Sequence, residues 1–419
     1  MRAAVIAMAD LGRCARMQYH ARALADSGVD VHFVGLEGTA LPKFVSDHPR
    51  ITVHRIEPAT SRFRHASGIV YSGFATGDAV RLGWRLWRQL RSLRHIELVL
   101  VQNPPAFPTL EVTRLALRRK GVRLVIDWHN LGYSLLQRRL GRWHPAVRIA
   151  RWFERRHARR VDASLTVSRG MAAFLETRFA ANRVQVLYDR PASVFVQMDR
   201  GARDRFRQGL FGRMGVVGGP TGFIVCPSSW TEDEDFDVVI EAVVRLEERI
   251  RGWEASNPGR RFPQLIILVT GDGQRRAEFE RRFAGLPARR IQLRARWLEP
   301  EEYPLVVGSA DIGLCLHRST SGLDIPMKVA DLVGAGVPVC AIDYGATLAE
   351  RVRHGDNGLL FSTARQLCDL LFELFDSYPS DQTMLERLRR GARRSARPTW
   401  EEGWRRDALD LLLPGGRNA

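Results

Sequence analysis

The sequence predicts an α/β protein made of two doubly wound, parallel-sheet domains facing a central cleft. Short apolar runs alternate with helical patterns through both halves of the chain. The alternation breaks over residues 189–222, which contain Pro191, Gly201, Gly209, Gly212, Gly219 and Pro220. A chain of 419 residues with 45% apolar content is long enough for two cores. The expected division is 1–195 and 205–395, with a terminal helix in 396–419 packing back on the first domain.

In the first half, residues 3–8, 31–36, 98–102, 124–128, 163–167 and 184–188 read as strands, and 18–26, 77–94 and 109–120 as helices. In the second, 222–226, 265–270, 291–294, 312–316 and 338–342 read as strands, with helices from about 233 to 251 and over 275–284, 300–308, 326–332 and 364–375. Cys14, Cys226, Cys315, Cys340 and Cys368 have no paired or zinc-type spacing, so they read as free thiols in a reducing compartment. The opening MRAAVIAMADLGR is too short an apolar run for a signal peptide. No run of about 18 apolar residues occurs, so a soluble or peripheral cytoplasmic protein is expected.

The densest site signal is GLCLHRSTSGLDIPMKVADLVGAGVPVCA, residues 313–341. A strand, a loop of small polar residues, a helix entered through Pro326 and a second strand make up a diphosphate cradle. A helix start offers free N–H groups and a positive dipole end to an anion. Lys328, one of three lysines, falls in the first helical turn, where a cation suits a phosphate better than it suits the dipole. His317, Ser321 and Gly322 belong to the loop, and Asp324 and Asp331 flank the lysine. Gly271 and Gly273 end a strand in G-x-G and permit close backbone approach to a nucleotide. In PSSWTEDEDF, Thr231 and Glu234 have capping-box spacing, while Glu232 or a neighbour is the acid expected to face the cleft. The D-x-D of Asp233 and Asp235 is not read as a metal site. In the first half, strands end at Asp10, Gly12 and Arg13 and at Asp127, His129 and Asn130, all expected on one sheet edge near an acceptor. Plainer uses remain open: the acids start a helix, the G-x-G is a tight turn, and a strand-end Asp or His caps a turn.

The net charge of +18 comes almost wholly from arginine. Residues 81–94 place leucines on one face and Trp84, Arg85, Trp87 and Arg88 on the other. Residues 135–160 repeat the theme with Arg151, Trp152 and Arg155 against a single acid, Glu154. Tryptophan among arginines suits an anionic membrane surface. Nucleic acid would use the same chemistry, but no nucleic-acid motif accompanies the charge.

The runs GRCARMQYHA (12–21), DWHNLGYS (127–134), SSWTEDEDF (228–236), the segment 297–332 and GVPVCAI (336–342) together resemble the chitobiosyldiphosphodolichol β-1,4-mannosyltransferase family. The resemblance spans nearly the whole chain. It implies a GT-B glycosyltransferase with GDP-mannose as donor substrate, no bound cofactor, an isoprenoid-diphosphate-linked sugar as acceptor, and inversion at the anomeric carbon. The preference for arginine over lysine and an N-terminus without an anchor suggest a GC-rich bacterial source. The carrier expected there is undecaprenyl diphosphate, on the inner face of the cytoplasmic membrane.

An inverting transfer needs a base on the acceptor hydroxyl and positive charge on the leaving diphosphate. Asp10 and His129 are the first candidates for the base and Glu232 the third. Lys328, the helix start and the loop 317–322 are the expected diphosphate ligands. Asp324 and Asp331 are expected on sugar or ribose hydroxyls. This arrangement needs no metal, though it leaves room for stimulation by Mg2+. A sugar-nucleotide epimerase on the same fold and a non-catalytic membrane or nucleic-acid binding protein are the rival readings.

Overall fold

The computed structural model describes residues 1–58, 68–117, 121–216, 219–273, 275–286 and 289–414. The chain forms two compact units, Met1–Tyr188 joined by residues from Glu401 onward, and Asp189–Trp400.

The first unit is built on a seven-stranded parallel sheet: β1 (Arg2–Asp10), β2 (Asp30–Leu36), β3 (Ile51–Ile56), β4 (Leu98–Asn103), β5 (Arg123–Trp128), β6 (Ala163–Thr166) and β7 (Val184–Val186), in the order β3-β2-β1-β4-β5-β6-β7. Helices cover both faces, so the central strands have no polar side; Ala3 to Ala7 are all buried. β3, absent from the expected strands, lies at the edge, where exposed Thr52 and Arg55 and half-buried Val53 and His54 blur the apolar run.

The second unit carries β8 (Thr221–Pro227), β9 (Gln264–Thr270), β10 (Ile291–Arg296), β11 (Ile312–Cys315), β12 (Val339–Ile342) and β13 (Gly358–Phe361), parallel in the order β10-β9-β8-β11-β12-β13. Both sheets reverse their winding beside their first strand, between β1 and β4 and between β8 and β11. In such sheets ligands bind outside the carboxyl ends of the strands at this switch point.

Three expectations are corrected. The glycine-rich stretch 189–222 contains a helix, Arg200–Arg213, because Arg203, Arg207 and Leu210 are buried against the unit and offset the helix cost of its glycines. The basic segment 135–160 is two helices, Gly132–Leu140 and Pro145–Ala158. Gly141 at φ 83° ends the first, and Pro145 opens the second. The helix expected from about 233 runs Phe236–Ser256, capped by the Asp235 carboxylate on the Val238 N–H, so Thr231 is not its N-cap.

Candidate active site

At the second switch point the loops after β8 and β11 are laced together. The Asp235 N–H donates to the Leu316 carbonyl at 3.0 Å and the Arg318 N–H to the Asp233 carbonyl at 2.8 Å. This antiparallel bridge brings side chains that are far apart in sequence into one cluster. His317 lies between two carboxylates, with Nδ1 2.8 Å from Asp233 Oδ2 and Nε2 2.8 Å from Asp324 Oδ2. Burial opposes its charge, but hydrogen bonds to the two carboxylates prevail and raise its pKa to about 9, so it is a cation at neutral pH.

Lys328 pairs with Glu234, which is buried beneath it and also accepts from Ser228 Oγ at 2.9 Å, Ser229 N at 3.0 Å and Thr231 N at 3.2 Å. Burial works against the ammonium, but the Glu234 charge raises its pKa. A lysine has three N–H donors, so the pair leaves further donors for an anion. The helix Met327–Gly334, which carries Lys328 in its first turn, starts after Pro326 without a side-chain cap.

The β11 loop is satisfied internally. Ser319 donates to Asp324, Ser321 Oγ lies 3.3 Å from the same carboxylate, and the Gly322 and Leu323 N–H groups are taken by Ser319 and Ser321. His317, Asp324 and Ser321 therefore shape the loop through bonds to one another and to Asp233. Gly271, at φ 89°, comes so close to the β8 loop that a Cβ would lie 2.0 Å from Ser228 O, and one on Gly273 would lie 2.6 Å from Ser229 O. The backbone these glycines approach is that of the neighbouring loop. Asp331 accepts from Tyr303 OH at 3.1 Å, and enclosure of its carboxyl group raises its pKa to about 7. Glu232 is exposed, and the acid held against the lysine is Glu234, two residues on.

In the first unit Asp127, at the end of β5, is buried. Arg16 grips both its oxygens, Nε at 2.8 Å and Nη2 at 2.9 Å, and His20 Nε2 lies at 3.2 Å. Burial opposes the carboxylate, but Arg16 and the histidines hold its pKa well below the usual range. Asp127 is thus an internal counter-charge, not the acceptor ligand expected. It carries His129, whose Nε2 lies 2.8 Å away on a partly exposed ring. Trp404 donates its indole N–H to His20 Nδ1 at 3.0 Å, tying the chain's last helices to this cluster. Burial lowers the His20 pKa, which keeps Nδ1 free to accept.

Asp10 is half-buried and saturated: Gly12 N and Thr39 N donate at 3.0 Å, Thr39 Oγ1 at 2.7 Å, and Arg13 lies at 3.7 Å. Those hydrogen bonds outweigh burial and lower its pKa, which makes it a poor base. Gly12 is required here, since a Cβ would meet Thr39 O at 2.4 Å. Asn130 turns its Oδ1 onto the Leu131 N–H at 2.7 Å, inside the loop.

Two family models match the chain: "Glycosyl transferase 4-like domain" over residues 14–189 and "Glycosyl transferases group 1" over residues 222–377. Chitobiosyldiphosphodolichol beta-mannosyltransferase of Mus musculus is 32% identical, covering 97% of this chain and 88% of its own length. The protein of that name in Yarrowia lipolytica is 34% identical, covering 96% and 84%. The chain belongs to the chitobiosyldiphosphodolichol beta-mannosyltransferase family. It is a glycosyltransferase. "UDP-glycosyltransferase TURAN" of Arabidopsis thaliana is 33% identical over 98% of this chain and 97% of its own. Among solved structures, the glycosyltransferase WaaG superposes with TM-score 0.68 at 15% identity, covering 99% and 100% of the two chains. A sucrose-phosphate synthase from Thermosynechococcus elongatus gives 0.69 at 13%, covering 98% and 97%. These likenesses are of fold, and the fold is GT-B.

The residues that sequence reading missed in this family member are Arg16, His20, Glu234 and Glu154. Arg16 and His20 are four apart on the helix Ala15–Asp26 and so share a face, a signal present in GRCARMQYHA. Glu154, read as the lone acid on a basic surface, is buried and accepts from Asn103 Nδ2 at 2.8 Å and Gly132 N at 2.7 Å. Among the described residues, no group of His, Cys, Asp or Glu is arranged to hold a metal ion.

Of the surface residues, Trp84 is 59% and Trp152 58% exposed, and Trp87, Arg88, Arg151 and Arg155 are also open to solvent. The Arg88 guanidinium lies 5.7 Å from the Trp84 ring, and Arg151 lies 5.6 Å from that of Tyr133. Arg85 bonds to the Glu57 carbonyl at 2.7 Å. Trp143, 79% exposed, joins the set. Among the described residues no helix is long and apolar enough to cross a membrane.

Proposed function

We propose that the protein transfers mannose from GDP-mannose to a sugar on an isoprenoid diphosphate, forming a β-linkage by a single inverting displacement. The observation that carries this reading is the Lys328–Glu234 pair at the second switch point, a cation seated where a leaving diphosphate would lie. The relatives' names supply the mannose and the lipid-linked chitobiose acceptor. In this reading the acceptor hydroxyl gives its proton to His129 Nδ1 while its oxygen bonds to the anomeric carbon. The anomeric C–O bond breaks, and the electron pair leaves on the diphosphate, which the Lys328 ammonium stabilises. Asp127 on Nε2 holds the imidazole in the tautomer with Nδ1 unprotonated.

The site works on a lipid-borne acceptor, and the exposed Trp84, Trp143 and Trp152 among arginines support peripheral docking on the inner face of the cytoplasmic membrane. Phe107 connects the two basic helical regions: it meets Phe153 edge-on at 5.6 Å, and the neighbouring Pro108 abuts Gly83.

The test is transfer of labelled sugar from GDP-mannose, and separately from UDP-sugars, to a panel of lipid-diphosphate glycans. Label entering the lipid phase from GDP-mannose is expected. His129→Gln should lower turnover by about 10²–10⁴-fold with little change in KM, and Asp10→Asn far less. Transfer from UDP-sugars alone would overturn the donor assignment, and full activity of His129→Gln would overturn the base.

A further inference from the structure

In the second unit a cavity of 570 Å³ opens between the start of the helix Arg200–Arg213 and the helix Thr383–Ser395. Its walls include Arg200, Arg203, Arg390 and Arg393, set against Asp199 and Glu386. The acids do not balance this charge. Asp199 is committed to capping its own helix on the Ala202 N–H at 2.8 Å, and Glu386 reaches only Arg203, at 3.5 Å. Arg200 and Arg390 are exposed and, among the described residues, make no ion pair.

Two further features show that positive charge is concentrated here by construction. Arg203 is 5% exposed although it lines the cavity, and among the described residues its Nε and that of Arg393 are buried without a hydrogen-bond partner, so the guanidinium donors of this wall are not used up by the protein. Directly behind the wall, Arg207 and Arg389 share the one buried carboxylate of Asp311, Arg207 at 2.7 Å and Arg389 at 3.9 Å. Burial, and then the neighbouring Arg203 charge, lower the Arg389 pKa to about 9, the direction expected where guanidinium groups outnumber their counter-charges.

We infer that this cavity is an anion site for a phosphate or diphosphate group, bound by Arg200, Arg203, Arg390 and Arg393 and separate from the sugar-transfer site. Planar guanidinium forks match phosphate oxygens two at a time. The volume suits a small phosphorylated molecule. The group could arrive on a soluble compound or on a membrane lipid, and the chemistry of recognition is the same. This inference does not depend on the donor or the base proposed above.

The experiment titrates the full-length protein with inorganic diphosphate by calorimetry, and in a parallel arm sediments it with phosphatidic acid vesicles against phosphatidylcholine vesicles. Arg200→Gln and Arg390→Gln alter exposed side chains and should leave the melting temperature nearly unchanged. Each should weaken diphosphate binding by about tenfold or more. Glu386→Gln, which removes a competing carboxylate, should tighten it. Lys328→Ala should retain it. Arginine-dependent binding seen only on phosphatidic acid vesicles supports the site with a lipid-borne phosphate. Binding in neither arm overturns the site, as does binding that Lys328→Ala abolishes or that the two arginine variants leave intact.

Discussion

His129 and His317 occupy comparable places in the two units, each just past the end of a parallel strand and each hydrogen-bonded to a carboxylate at 2.8 Å, yet their surroundings differ. His317 is held between Asp233 and Asp324, and its hydrogen bonds to the two carboxylates, aided by their charge, keep it a cation at neutral pH. Asp127 beneath His129 is already neutralised by a bidentate Arg16 and shared with His20. The difference lies in the partners: His317 bridges two carboxylates, while His129 leans on one that Arg16 and His20 also hold. One loop is locked as a charged framework, while the other presents a ring whose second nitrogen faces away from the ion pair.

The comparison breaks most decisively at Arg16. Arg16→Leu leaves Asp127 buried without its main counter-charge and should cost about 3–5 kcal/mol of stability, read by urea unfolding. A loss under about 1 kcal/mol would mean that His20 takes up the charge and that the two sites are more alike than described.

A smaller, pH-dependent effect is expected at His317. Its folded pKa of about 9 lies above the ordinary 6.5, so its stabilisation is complete below about pH 6.5 and lost as pH rises through 9. The stability gap between the wild type and His317→Gln should therefore be widest near pH 6 and shrink towards about pH 10. A gap that widens with pH would show that the cation is not what holds the loop.

A third effect belongs to Trp404→Phe, which removes one hydrogen bond to His20 and leaves a small cavity around a buried side chain, and should cost about 1–3 kcal/mol. Loss of the bond also frees His20 Nδ1 to take a proton beside Asp127, so activity should change in its pH profile more than in its maximum. An unaltered profile would separate the terminal helices from the His129 cluster.

Much of the fold was legible because burial is periodic. The runs at β1, β4, β5, β8, β9, β11 and β12 announce themselves by continuous apolar residues, as strands covered on both faces must. β3 and β13, both edge strands, were missed: β3 has a partly exposed pattern, and β13 is a short run that opens on Gly358, which reads as a turn. The helix Arg200–Arg213 was hidden by its glycines, since what holds it is contact between Arg207 and Asp311, 104 residues away. At the candidate site the segments were legible but the assignments within them were not. TEDEDF marked the right loop, yet whether Glu232 or Glu234 faces Lys328 was decided by a backbone bridge to β11 that no local pattern encodes.

The sequence by itself determined the two alternating halves, the parallel sheets and the family, because each follows from local propensity, periodic burial or residue identity. Only the tertiary structure decided which charges meet. Arg16 and Asp127 are 111 residues apart, Lys328 and Glu234 94 apart, and Trp404 and His20 384 apart. Electrostatic energy depends on the distance through space and the burial of both partners, and neither is a property of position along the chain.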